Sequence, residues 1–184
     1  MNRRKFVKNA AVSIAAVTST ISGCSMNETE DRTVENVTAN TDSTDLLGTS
    51  SVLTADITPQ SQGQIELGLE YDGEGTAQYY FGNTVPVASP ILSDTPEGLI
   101  LAEIHTDFVR EDQNSWIIQD QGFYATLELQ SQEFSPEESV STAYNIWGHP
   151  DYFETIETGQ YRFETSISKF DQTTIEYTVE VEIS

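Results

Sequence analysis

The sequence predicts an all-β protein: an antiparallel sandwich of about seven to nine short strands, preceded by a signal segment and a disordered linker. Three observations predict it. From about residue 50 onward, apolar residues alternate with polar ones at period two, the pattern of strands with one face buried. Clusters of turn-forming residues interrupt that alternation at Asp72-Gly73-Glu74-Gly75, Pro96-Glu97-Gly98, Ser135-Pro136-Glu137 and Thr158-Gly159. No stretch carries a convincing apolar stripe at helical spacing, so alternating strand–helix–strand folds are disfavoured.

Along the chain, residues 1–23 read as an export signal. Arg3-Arg4-Lys5-Phe6-Val7-Lys8 looks like a twin-arginine motif, with Arg3 and Arg4 as its pair. An apolar stretch from Ala10 to Ile21 follows, too short and too weakly apolar to span a bilayer. It ends in Ile21-Ser22-Gly23-Cys24, which resembles a lipobox: a branched apolar residue, two small residues, then the cysteine to be lipidated. That resemblance implies a prenyl-type or diacyl anchor on Cys24, and the twin-arginine route implies a domain that folds before it crosses the membrane.

Residues 24–50 read as the lipidated cysteine and a flexible spacer rich in Thr, Asn, Asp and Glu, too poor in apolar side chains to offset the entropy of ordering it. It contains two N-x-[ST] sequons, which make Asn27 and Asn36 candidate N-glycosylation sites. The sandwich is expected over 51–184. Strands are expected at 52–55, 65–71, 78–81, 99–105, 115–118, 123–129, 140–146, 161–167 and 175–183. The last is the clearest: Ile175, Tyr177, Val179, Val181 and Ile183 alternate with Glu176, Thr178, Glu180 and Glu182. The stretch from Thr84 to Pro96, with prolines at 86, 90 and 96, reads as a long crossing loop. Asp151 to Glu157 could form one turn of helix.

Charge and cysteine usage exclude several function classes. The chain of 184 residues has 30 acidic and 8 basic side chains, a net charge of -22. Four of the basic residues precede Cys24 and no acid does, so from Cys24 onward four bases face 30 acids and the charge is -26. Such a surface repels phosphate backbones, and no nucleic-acid partner is expected. One cysteine can form neither an internal disulfide nor a Cys-based zinc site.

The segment Phe134-Ser135-Pro136-Glu137-Glu138-Ser139-Val140, followed by Ile146-Trp147 and Gly159-Gln160-Tyr161-Arg162-Phe163, resembles the immunoglobulin-like family of intracellular proteinase inhibitors. That family has a Pro-Gly-Glu turn before a strand ending in Trp, then a Gly-x-Tyr start to the next strand. Glu137 stands where the family has Gly, and the family's early Asn is missing near Glu70 and Tyr71. The resemblance implies an immunoglobulin-like sandwich. The whole chain also looks like the twin-arginine-exported lipoproteins of salt-loving archaea, which implies a high-salt habitat where salt screens the self-repulsion of so acidic a domain.

Chemistry-bearing motifs are sparse. The histidines are His105 and His149, and the sequence holds no nucleophile elbow, phosphate loop, dinucleotide fingerprint or zincin helix. No catalytic residue and no cofactor is expected. A weak Ca²⁺ candidate is Glu70, Asp72 and Glu74, three acids at alternate positions running into a glycine turn. His149 with Asp151 and Glu154 is a weaker metal candidate. Neighbouring aromatics (Tyr79-Tyr80-Phe81, Phe123-Tyr124, Tyr152-Phe153, with Trp116 and Trp147) point to opposite faces of a strand, so some could meet a sugar or protein.

These features predict a non-enzymatic binding module on the extracellular face of the cell membrane, anchored through lipid on Cys24 and contacting a surface protein or glycan. The alternative is a proteinase inhibitor whose loop, Thr84 to Pro96 or Trp147 to Thr158, enters a protease cleft. A secreted hydrolase comes third, for want of a base beside a nucleophile.

Overall fold

Period-two alternation puts one face of each strand in a core, and a core needs a second layer to cover it. In a computed structural model, which describes residues 32–42, 47–58, 60–110, 116–119 and 128–184, two antiparallel sheets supply those layers. The strands are β1 (Val34–Thr41), β2 (Leu47–Ala55), β3 (Gly63–Tyr71), β4 (Ala77–Phe81), β5 (Ile91–Leu92), β6 (Leu99–Glu103), β7 (Gln130–Phe134), β8 (Ser139–Gly148), β9 (Gly159–Lys169) and β10 (Thr174–Ile183). One sheet runs β1-β10-β9-β4-β7 and the other β2-β3-β8-β6-β5. The protein is an immunoglobulin-like β-sandwich. Among the described residues the only helical element is a 3₁₀ turn at Pro150–Thr155, overlapping the turn expected at 151–157.

On β10, Ile175, Tyr177, Val179, Val181 and Ile183 are buried while the residues between them face outward. They meet Ile65, Leu67 and Leu69 of β3, Leu99 and Leu101 of β6, and Tyr144 and Ile146 of β8 in one apolar core. At the end where β3 passes to β4, aromatic rings close the core: Tyr79 meets Tyr71 at 6.1 Å and Phe134 at 5.7 Å, both edge to face. Such pairs add to burial because ring edges and faces carry opposite partial charge.

The expected spacer is corrected here: within residues 24–50, residues 34–41 are strand β1 and residues 47–50 begin β2. Each is one of the two edge strands of its sheet, and they face each other along one side of the sandwich. The polar residues that read as a linker join them. Thr49 Oγ1 donates to the Ala39 carbonyl at 2.6 Å, Ser51 Oγ to the Val37 carbonyl at 2.9 Å, and Thr41 Oγ1 to the Leu47 carbonyl at 3.3 Å. The Val34 N–H donates to Asp56 Oδ1 at 2.6 Å. Carbonyls that an edge strand would leave open are thereby satisfied within the chain.

Other expectations shift less. The crossing loop holds the two-residue strand β5, and its Val85–Pro86, Ser89–Pro90 and Thr95–Pro96 bonds are cis. Residues 116–119 make isolated bridges (Ile117 with Gly148, Ile118 with Arg110) rather than a strand. The strand expected over 123–129 falls mostly outside the described residues, and β7 lies just after it, where none was expected.

Candidate functional site

The registers bring six strand ends together at one end of the sandwich. Val34 of β1 lies beside Ile183 of β10, which lies beside Gly159 of β9, while Leu99 of β6 pairs with Gly148 of β8 and Gly63 of β3 with Ile146. The loops 56–62, 93–98 and 149–158 therefore meet here. Here the topology gathers chemically versatile side chains from separate elements: Glu97 from one loop, His149, Asp151 and Tyr152 from another.

His149 is buried, and its N–H donates to the Gly98 carbonyl at 2.8 Å, which ties the two loops together. Its Nδ1 accepts the Asp151 N–H at 3.1 Å, so the neutral ring carries its proton on Nε2. The Tyr152 ring lies 5.1 Å from the imidazole. A hydrogen bond to the Glu97 carboxylate raises the Tyr152 phenol above its ordinary pKa, because ionising the phenol would set two negative charges together. Gly98 takes a left-handed backbone at φ +142, where a side chain would also meet Ile156 Cγ1 at 3.2 Å. Gly148 admits the 116–118 segment: a Cβ there would lie 2.9 Å from Trp116 Cζ3.

The bonds at His149 join two loops and close a turn. The basic nitrogen of His149 is committed to a backbone N–H, and the imidazole holds a turn closed. His105 is exposed in the turn beyond the far end of β6, whose five residues separate it from His149 by about 20 Å. Among the described residues no three of His, Cys, Asp and Glu gather as an ion would require. Glu70, Asp72 and Glu74, all exposed, are thus not brought together, and the Glu154 side chain lies outside the described residues.

Neither loop named for an inhibitor projects as a whole. Thr84, Val85, Pro86 and Val87 are buried, and the Tyr144 hydroxyl both donates to the Val87 carbonyl at 2.9 Å and accepts the Val87 N–H at 3.1 Å. Burial pushes the Tyr144 phenol well up from its ordinary value. In the 147–158 loop, Trp147, Gly148, His149 and Ile156 are buried, while Asp151, Glu157 and Thr158 are exposed. The turn that carries the family resemblance is well formed: Glu137, at the family's Gly position, has φ 64.

The aromatic residues offered for recognition are mostly interior. Tyr79, Phe81, Trp116 and Trp147 are buried, and Tyr80 and Tyr152 half-buried. Trp147 belongs to a second apolar cluster on the outer face of its sheet, with Ile100, Ala102 and Ile118. Phe108 meets it edge to face at 6.1 Å, and the Arg110 guanidinium lies over its ring at 5.7 Å while donating to the Gln60 carbonyl and Gln62 Oε1, both at 2.7 Å. No sequence pattern announces this cover, because it depends on where the chain travels after β6.

Arg3, Arg4, Cys24 and Asn27 lie outside the described residues. Asn36 is exposed on β1, and Thr38 of its sequon donates to Glu180 Oε2 at 3.4 Å. Phe123, Tyr124 and the Phe153 side chain also lie outside the described residues. No family model, curated protein or solved structure matches this chain.

Proposed function

We propose that this protein is a lipid-anchored β-sandwich on the extracellular face of the cell membrane, a non-enzymatic module that binds a surface protein or glycan. The observation that carries the reading is the order of residues at the N-terminus: Arg3-Arg4, an apolar stretch, then Ile21-Ser22-Gly23 before Cys24, the chain's single cysteine. A thioether lipid on that residue supplies membrane affinity, since each buried methylene contributes about 0.8 kcal/mol. Binding rather than catalysis is favoured because His149, the histidine that lies among other functional groups, spends its Nδ1 on a backbone N–H. The charge of -26 beyond the signal fits a high-salt exterior, where screening is strong. The inhibitor reading is weaker, because an inhibitory loop must reach into a cleft and Thr84 to Val87 are buried. The test is Cys24→Ser in the expressing cell. The wild type should fractionate with membranes and the variant with the soluble fraction; a variant that stays in the membrane fraction refutes the anchor.

A further inference from the structure

The position of β1 limits how such an anchored domain can stand. Arg32 Nη2 donates to the Ile156 carbonyl at 3.2 Å, and Thr33 and Ser184 exchange backbone hydrogen bonds at 3.2 and 3.0 Å, so the chain is fixed to the sandwich from residue 32. Cys24 is eight residues earlier. Whatever the conformation of those residues, a chain reaches at most about 3.6 Å per residue, so Cys24 lies within about 29 Å of Arg32. A spacer running to residue 50 would have reached about 90 Å and left the orientation open.

The sandwich is longer than this tether. β10 has ten residues, about 33 Å from end to end. Were the opposite end, with turns 72–76, 135–138 and 170–173, to rest on the membrane, Arg32 would stand about 33 Å above it, beyond the reach of about 29 Å. Lying on a sheet face sets carboxylates against the headgroups: Glu164, Glu176, Glu180 and Glu182 on one sheet, Glu66 and Glu70 on the other. The Val34 end also has acids (Glu97, Asp151 and Glu157), but the tether can hold them a short distance off the surface.

We infer that the domain stands with its Val34–Ser184 end toward the lipid headgroups and presents the 72–76, 135–138 and 170–173 turns to the exterior. The inference rests on the anchor reading of Cys24. The loops around His149 and Tyr152 then face the headgroup layer, and Phe170, 79 % exposed at the β9–β10 turn, faces outward.

The test uses the full-length lipidated protein in phosphatidylcholine vesicles that contain a headgroup-quencher lipid. Because lipid blocks the Cys24 sulfur, a fluorophore can be attached selectively to Gln60→Cys at the Val34 end or to Phe170→Cys at the opposite end, both exposed positions. Several-fold stronger quenching at position 60 than at 170 is the expected result, and a long Gly/Ser insertion after Ser25 should abolish the difference. Equal or reversed quenching in protein that floats with the vesicles overturns the orientation while the anchor stands. A difference that survives the insertion overturns the tether as its cause. Protein that does not float, or whose Cys24 thiol reacts with the fluorophore, overturns the anchor reading and the orientation with it.

Discussion

Two buried tyrosines with opposite hydrogen-bonding fates show what one hydroxyl contributes to this core. Tyr144 Oη makes two bonds to Val87 and clamps the loop between β4 and β5, whereas Tyr177 Oη is buried with no partner among the described residues. Tyr144→Phe strands the Val87 N–H and carbonyl in the interior, at a cost of about 1–3 kcal/mol. Tyr177→Phe removes a hydroxyl whose desolvation no described residue offsets, so its stability should match or exceed the wild type. Urea unfolding checks the pair: the midpoint should fall for the first variant and hold or rise for the second, with unchanged slope in both. A lower midpoint for Tyr177→Phe would show that its hydroxyl has a partner after all.

At the scale of elements, the seam between β1 and β2 covers an edge of β1 that another chain could otherwise pair with. The hydroxyls of Thr49 and Ser51 cover two carbonyls of β1 that would otherwise be open to another strand. Replacing both residues, Thr49→Val with Ser51→Ala, should cost about 0.5–1.5 kcal/mol per lost bond. The uncovered edge should also promote self-association, visible as a concentration-dependent increase in sedimentation beyond that of the wild type; a variant that sediments as the wild type does would place edge protection elsewhere. The same seam explains why sequence reading stopped at residue 50. In β1 a bulge between Val34 and Asn36 breaks the period of two, and β2 turns mostly polar or exposed residues outward while its hydroxyls serve the neighbouring strand. β7 was missed for a similar reason, since of Gln130–Phe134 only Phe134 is buried. β10, inside its sheet and flanked by β1 and β9, alternates without fault and was legible throughout. The cluster at the Val34 end was half legible: His149 and Asp151 are close in sequence, but Glu97 is 52 residues from His149 and joins it through β6–β8 pairing. No local pattern encodes that pairing.

For the molecule as a whole, charge is the dominant variable. With four bases against 30 acids from Cys24 onward, repulsion opposes the compact state, and salt shortens its range from about 8 Å at 0.15 M to about 3 Å at 1 M. The thermal midpoint should therefore rise with sodium chloride, by about 2–4 °C for each kcal/mol gained in a domain of this size. A midpoint that stays flat to 1 M would mean that the carboxylates are spaced widely enough not to repel. The pairing of β1 with β10 has a further consequence, in the order of synthesis. β10 lies between the first strand of its sheet and β9, so the first strand has no partner within that sheet until residues 174–183 have left the ribosome. The sandwich closes only after translation has passed its last strand, and a chain interrupted before that point keeps an unpaired edge that invites aggregation.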